Sequence, residues 1–167
     1  MACLGVLFSI DRKTVDLIRE FSTDEERIDY VKEVVEVDYF SNNPQWVAEL
    51  GKAWDALHRS LTDGKLDFDN GEFPLSHVIL GGESLCASEN YIIVLKEAEQ
   101  VAKIATAVLE ISRAGLEKRY YALDSKQYDG TIEAEDFEYT WEWFDDSKSF
   151  WQQAAAEKRS VLLTVDQ

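Results

Sequence analysis

Three short apolar runs, far apart in the chain, constrain its fold more than any other feature. They are residues 3–10, Tyr91-Ile-Ile-Val-Leu95 and Val161-Leu-Leu-Thr-Val165. Each is rich in branched or aromatic side chains and has the length of a strand, far below the ~20 residues a membrane helix needs. A lone strand leaves its backbone donors and acceptors unpaired. The two ends of the chain and its middle are therefore expected in one small mixed sheet. Helical periodicity fills the rest. The expectation is a single α+β domain over residues 1–167, with N- and C-terminal strands packed against several helices.

Between the first two runs, Val15, Ile18 and Phe21 stand at helical spacing. Thr23 with Glu26 forms a capping box, and Asp24, Glu25 and Glu26 suit the positive end of a helix whose apolar face is Ile28, Val31, Val34 and Val35. Asn43-Pro44 reads as a further helix start. Val47, Leu50, Trp54, Leu57 and Leu61 then recur at steps of three and four up to Gly64, a left-handed stop, so one helix over 44–61 is expected. Residues 65–72 read as a loop. Residues 74–80 fit either a turn of helix or a buried strand, ended by Gly81-Gly82. Residues 96–112 are helical through Val101, Ile104, Ala105, Val108 and Ile111, and Ser112 caps a short helix reaching Tyr120 and Tyr121. After the turn at Tyr128-Asp-Gly130, Thr131 is expected to cap a long helix with the stripe Phe137, Trp141, Phe144, Trp151 and Ala155. Lys148 fills the remaining slot with its stem packed.

Composition narrows the function classes. Lys and Arg number 17 against 33 Asp and Glu, a formal charge of −16. Phosphate backbones and anionic lipid surfaces both require excess cations, so neither nucleic acid nor membrane is an expected partner. Acidity of this size favours solubility and fast encounter with basic proteins. The N-terminal run lacks a basic segment before it, and Cys3 and Cys86 form no Cys-x-x-Cys pair. A cytoplasmic protein with reduced cysteines, no cofactor and no metal is expected.

The stretches Gly51-Lys-Ala-Trp54-Asp-Ala-Leu-His58, Leu61-Thr-Asp-Gly64 and Pro74-Leu-Ser-His-Val-Ile-Leu-Gly-Gly-Glu83 resemble the YfbM-like family of bacterial proteins, a domain of unknown function. Weaker echoes are Val101-Ala-Lys-Ile-Ala105, the segment from Leu116 to Tyr120 and the closing Lys158-Arg-Ser-Val-Leu-Leu-Thr-Val165. They run in family order over nearly the whole chain. The resemblance implies the fold and no activity. Relatives often carry a Gly-rich turn with an Arg-Tyr pair before the central helix, where this chain reads Tyr91-Ile-Ile-Val-Leu95. A role of that arginine toward an anionic ligand does not carry over.

Both histidines fall in these stretches, and histidine is the side chain best suited to proton transfer near neutral pH. His58 follows Trp54 and Leu57 at the margin of an apolar stripe, with Asp55 placed to orient it or to pair with Arg59. His77 follows Ser76, and Glu83 follows the glycine pair, where missing side chains would let a ligand approach the backbone. A small-molecule or hydrolase-like site built from Trp54, Asp55, His58, Ser76, His77 and Glu83 is one reading. The other is a helix-edge histidine satisfied by the backbone and a glycine pair that only reverses the chain. Metal-ligand spacing such as His-x-x-x-His is absent, and so is a Gly-x-Ser-x-Gly elbow.

The second constellation lies between Asp129 and Asp146, which holds eight acids and no Lys or Arg. Tyr139 and Trp143 lie off the centre of the long helix's apolar stripe, among Glu135, Glu138, Glu142 and Asp146. They are either the second side of a broad buried face or surface rings ringed by charge. Exposed Trp and Tyr dominate binding hot spots. The preferred expectation is a non-catalytic acidic module that binds a basic protein partner. An immunity-type neutraliser of a toxin is one concrete form.

Overall fold

The computed structural model describes residues 3–167; Met1 and Ala2, the start of the apolar N-terminal run, lie outside the described residues. Strands β1 (Leu4–Ile10), β2 (Val47–Gly51), β3 (Glu83–Ala87), β4 (Tyr91–Lys96) and β5 (Ser160–Asp166) form one sheet in the order β2-β1-β5-β4-β3. Every neighbouring pair is antiparallel, so the sheet is antiparallel rather than mixed. The reason is the position of β5. The last strand enters the middle of the sheet and runs against both β1 and β4. Its Leu163 stands opposite Leu7 and Val94, and its Leu162 opposite Phe8 and Leu95.

Antiparallel sheets often leave one face wet and alternate in polarity, but here helices cover both faces. On the Phe8 face lie α1 (Arg12–Glu20), α2 (Asp24–Tyr30) and α3 (Val37–Asn42), the last two joined through a π-helical segment over Val31–Glu36. Val15, Ile18, Val31, Val35 and Tyr39 from this layer pack on Phe8, Ile93 and Leu162. On the Leu7 face, α4 (Trp54–Leu61), α5 (Ala98–Glu110), α6 (Arg113–Tyr120) and α7 (Ala134–Ala156) pack on Val94, Leu163 and Val165. Burial on both sides is why β4 and β5 read as continuous apolar runs. Among the described residues no helix is long and apolar enough to cross a membrane.

Local signals account for several helix starts. The Asp11 carboxylate accepts the Thr14 N–H at 2.8 Å, the Thr23 hydroxyl accepts the Glu26 N–H, and the Ser112 hydroxyl accepts the Gly115 N–H. Thr131 does not cap α7; Glu133 holds that position, and the Thr131 carbonyl accepts from the Tyr120 hydroxyl.

The helix expected over 44–61 is not one element. Pro44–Trp46 form a single tight turn, Val47–Gly51 are strand β2, and only Trp54–Leu61 are helical. Val47 and Leu50 satisfy helical spacing by accident, because they sit on opposite faces of the sheet. Val47 packs with the Phe8 cluster and Leu50 with the Leu7 cluster. Gly51 ends the strand at φ +54°, where a side chain would be strained.

Candidate functional site

The expected pocket residues do not converge. The His58 ring is fully buried. Its Nε2 lies 2.7 Å from the Asn70 amide oxygen, and its Nδ1 faces the Leu80 N–H at 3.4 Å. A ring that donates from Nε2 and accepts at Nδ1 is neutral and fully used. Burial pushes its pKa down, partly opposed by the Asn70 bond. The Asn70 amide nitrogen in turn donates to the Thr62 hydroxyl, the Asp63 carboxylate and the Lys65 carbonyl. His58 thus pins the 62–70 loop to α4.

Ser76 and His77 sit in a short turn at Leu75–His77, bonded to each other at 2.9 Å, with the His77 ring edge-on to Phe73. Burial lowers the His77 pKa as well. Glu83 is elsewhere, at the start of β3, paired with Arg19, which also holds Glu97. The room expected beside the glycine pair is filled: a side chain at Gly82, φ +127°, would meet the Leu95 carbonyl at 2.5 Å. Among the described residues no group of three His, Cys, Asp or Glu is placed to hold a metal ion.

A polar group that sequence reasoning missed lies in the same layer. Lys96 continues the alternation Ile92, Val94 along β4, which points its stem into the Leu7-side core. It is fully buried and its ammonium donates to the Ile79 carbonyl. Burial pushes its pKa well below the ordinary lysine value. The period-two phase is the signal that could have found it.

Trp54 and Asp55 belong to a different place. They line a cleft of about 430 Å³ with Tyr128, Asp129, Asp136 and Tyr139, and Lys52 is its one cation among the described residues. Neither histidine lines it. Asp55 is held by Arg59 at 2.5 Å, yet burial outweighs the arginine and raises its pKa. Asp136 accepts the hydroxyls of Tyr120 at 2.6 Å and Tyr128 at 2.8 Å, which ties the loop before α7 onto the helix. Burial, then the Asp136 carboxylate, pushes both phenols up.

α7 separates its two sides cleanly. Phe137, Phe144, Trp151 and Ala154 face the core, together with the small polar Thr140 and Ser147, which the apolar stripe did not include. Trp141, expected in that stripe, is only half-buried, and the Lys148 ammonium lies 4.6 Å from its ring centre. Tyr139 is 37% exposed and Trp143 half-buried, so neither is sealed inside. Their rings meet edge-to-face at 6.0 Å and bracket Gly51. The Tyr139 hydroxyl accepts the Lys52 N–H at 3.0 Å, which seats the pair on the end of β2.

The acids of α7 divide in the same way. Glu138 pairs with Arg113 on α6, and Asp145 with Lys148. Glu135, Glu142 and Asp146 fall on the Tyr139 side at helical spacing, are exposed, and have no cation within 4 Å among the described residues. Beyond Trp143 a second groove of about 270 Å³ runs between α7 and β2, lined by Gln45, Val47, Glu49, Asp146, Phe150 and Gln153. The Tyr139–Trp143 pair therefore stands between two acid-bearing hollows.

Comparison with known proteins bears on fold. A crystal structure of YfbM from Escherichia coli, a protein of unknown function, superposes with a TM-score of 0.68 at 19% identity, covering 97% of this chain and 99% of that one. No curated protein matches the sequence. The resemblance read from the Trp54–His58 and Pro74–Glu83 stretches is borne out in the fold, and it brings no activity with it. Over residues 1–164 the sequence matches the family described as domain of unknown function (DUF1877), and the chain belongs to that family.

Proposed function

We propose that this protein is a non-catalytic acidic module that binds a basic protein segment through the outer side of α7. One observation carries the reading: exposed, unpaired carboxylates are grouped around two partly open rings. Glu135, Glu142 and Asp146 flank Tyr139 and Trp143, and Glu49, Asp129 and Asp136 continue the negative surface into the adjoining hollows. At physiological salt, charges are screened beyond about 8 Å, so a clustered surface steers a partner where scattered acids would not. Trp143 supplies the flat, weakly hydrated ring that a guanidinium or lysine stem packs against. The hydrolase-like alternative loses support because His58 has both nitrogens occupied and Glu83 is bound to Arg19.

Affinity capture with the wild-type protein and with Glu142→Gln/Trp143→Ala/Asp146→Asn tests the reading. The expected result is a basic protein retained by the wild type at low salt, released by high salt and absent from the variant. Identical retention by both proteins, or a retained set that ignores salt, contradicts it.

A further inference from the structure

The sheet has two edge strands, and they are finished differently. At β3, the Arg27 guanidinium donates to the Leu85 carbonyl at 2.7 Å and is itself anchored on the Ile18 and Phe21 carbonyls. The edge is plugged by a side chain, one of the usual protections of an exposed strand. At β2, the backbone bonds beyond the ladder with β1 lie at its two ends, and at the start the Val47 N–H goes to the Pro44 carbonyl. Leu50 C=O takes the Ala53 N–H, and the neighbouring Lys52 N–H goes to Tyr139. Among the described residues, no further bond reaches the backbone between these ends, where the groups of alternate residues point away from β1.

We infer that β2 accepts an extended basic segment of the partner as an added strand, seated in the groove between β2 and α7. This rests on the proposed function and names its recognition mode. Strand addition takes affinity from main-chain bonds and selectivity from alternate side chains. A strand laid beside β2 would point every second side chain over α7, toward Trp143 and Asp146. The intervening side chains would point to the opposite face, where Glu49 shares a small cleft with Glu36 and Phe40. Carboxylates wait on both faces, so lysines or arginines at alternating positions meet them whichever face of the added strand carries them. β2 has five residues and spans roughly 16 Å at about 3.3 Å per residue, room for four or five residues of a partner. The turn at Pro44–Trp46 sets one limit of the edge and the bracketed Gly51 sets the other.

The test uses an acetylated peptide of about eight alternating lysines and valines, with two relatives N-methylated at alternate amides on one edge or on the other. Binding is read by titration, and the β2 amides by hydrogen exchange in the full-length protein. The expected result is that one methylated peptide loses about tenfold or more in affinity while the other binds like the parent. The outward-facing amides between Val47 and Gly51 should also gain protection with the parent peptide. If all three peptides bind alike and β2 gains no protection, strand addition is wrong and the acidic-surface reading survives. If none of the cationic peptides binds, both fall.

Discussion

His58 and Lys96 lie at the heart of the Leu7-side helical layer, whereas Glu142 and Asp146 stand on its outer rim, and the two pairs handle polarity in opposite ways. Inside, both side chains are buried and their polar atoms matched: His58 to Asn70 and the Leu80 N–H, Lys96 to the Ile79 carbonyl. Outside, the carboxylates are solvated and unmatched. A buried polar group without its partner carries the full cost of desolvation, while a solvated one contributes little to folding. The interior pair is therefore expected to matter for stability and the rim for recognition.

The sharpest way to break this contrast is His58→Ala. It leaves a cavity and strands both the Leu80 N–H and the Asn70 carbonyl oxygen, so urea unfolding should show a loss of about 3 kcal/mol. A loss below about 0.5 kcal/mol would put His58 among ordinary surface positions.

A smaller effect comes with pH. Burial lowers the folded-state pKa of His58 and His77 below the unfolded value near 6.5. The unfolded chain then takes up protons that the folded chain refuses. The stability contribution is complete above about pH 6.5 and is lost as pH falls through the lowered folded values. The urea midpoint should drop over that window more steeply in the wild type than in His58→Gln/His77→Gln. Parallel curves would mean that the two rings titrate as if free.

The smallest effect belongs to the rim. Glu135→Gln/Glu142→Gln/Asp146→Asn should change stability by less than about 0.5 kcal/mol in thermal unfolding, because the three acids have no cationic partner among the described residues to lose. A large loss would mark them as structural and weaken the division between the two regions.

How much of this was legible in the sequence follows from how local each signal is. β4 and β5 were readable because burial on both faces writes an unbroken apolar run. β3, the five residues Glu83–Ala87, was not, since an edge strand is half exposed and its Glu83, Ser84 and Ala87 carry no apolar pattern. β2 imitates a helix because Val47 and Leu50, three apart, serve two different cores. The face of α7 could be laid out from spacing alone, as Glu135, Tyr139, Glu142, Trp143 and Asp146 share one side. What those rings rest on could not, because Gly51 is distant in sequence. His58 looked marginal on its helix, and only the return of the 62–70 loop and Leu80 closes over it.

In the proposed function, charge on α7 brings a basic partner in and Trp143 keeps it there. Association and dissociation rates for a captured partner, measured against salt, separate the two contributions. Neutralising Glu135, Glu142 and Asp146 should slow association and flatten its salt dependence, while Trp143→Ala should mainly speed dissociation. Rates unchanged by either substitution would contradict the claim.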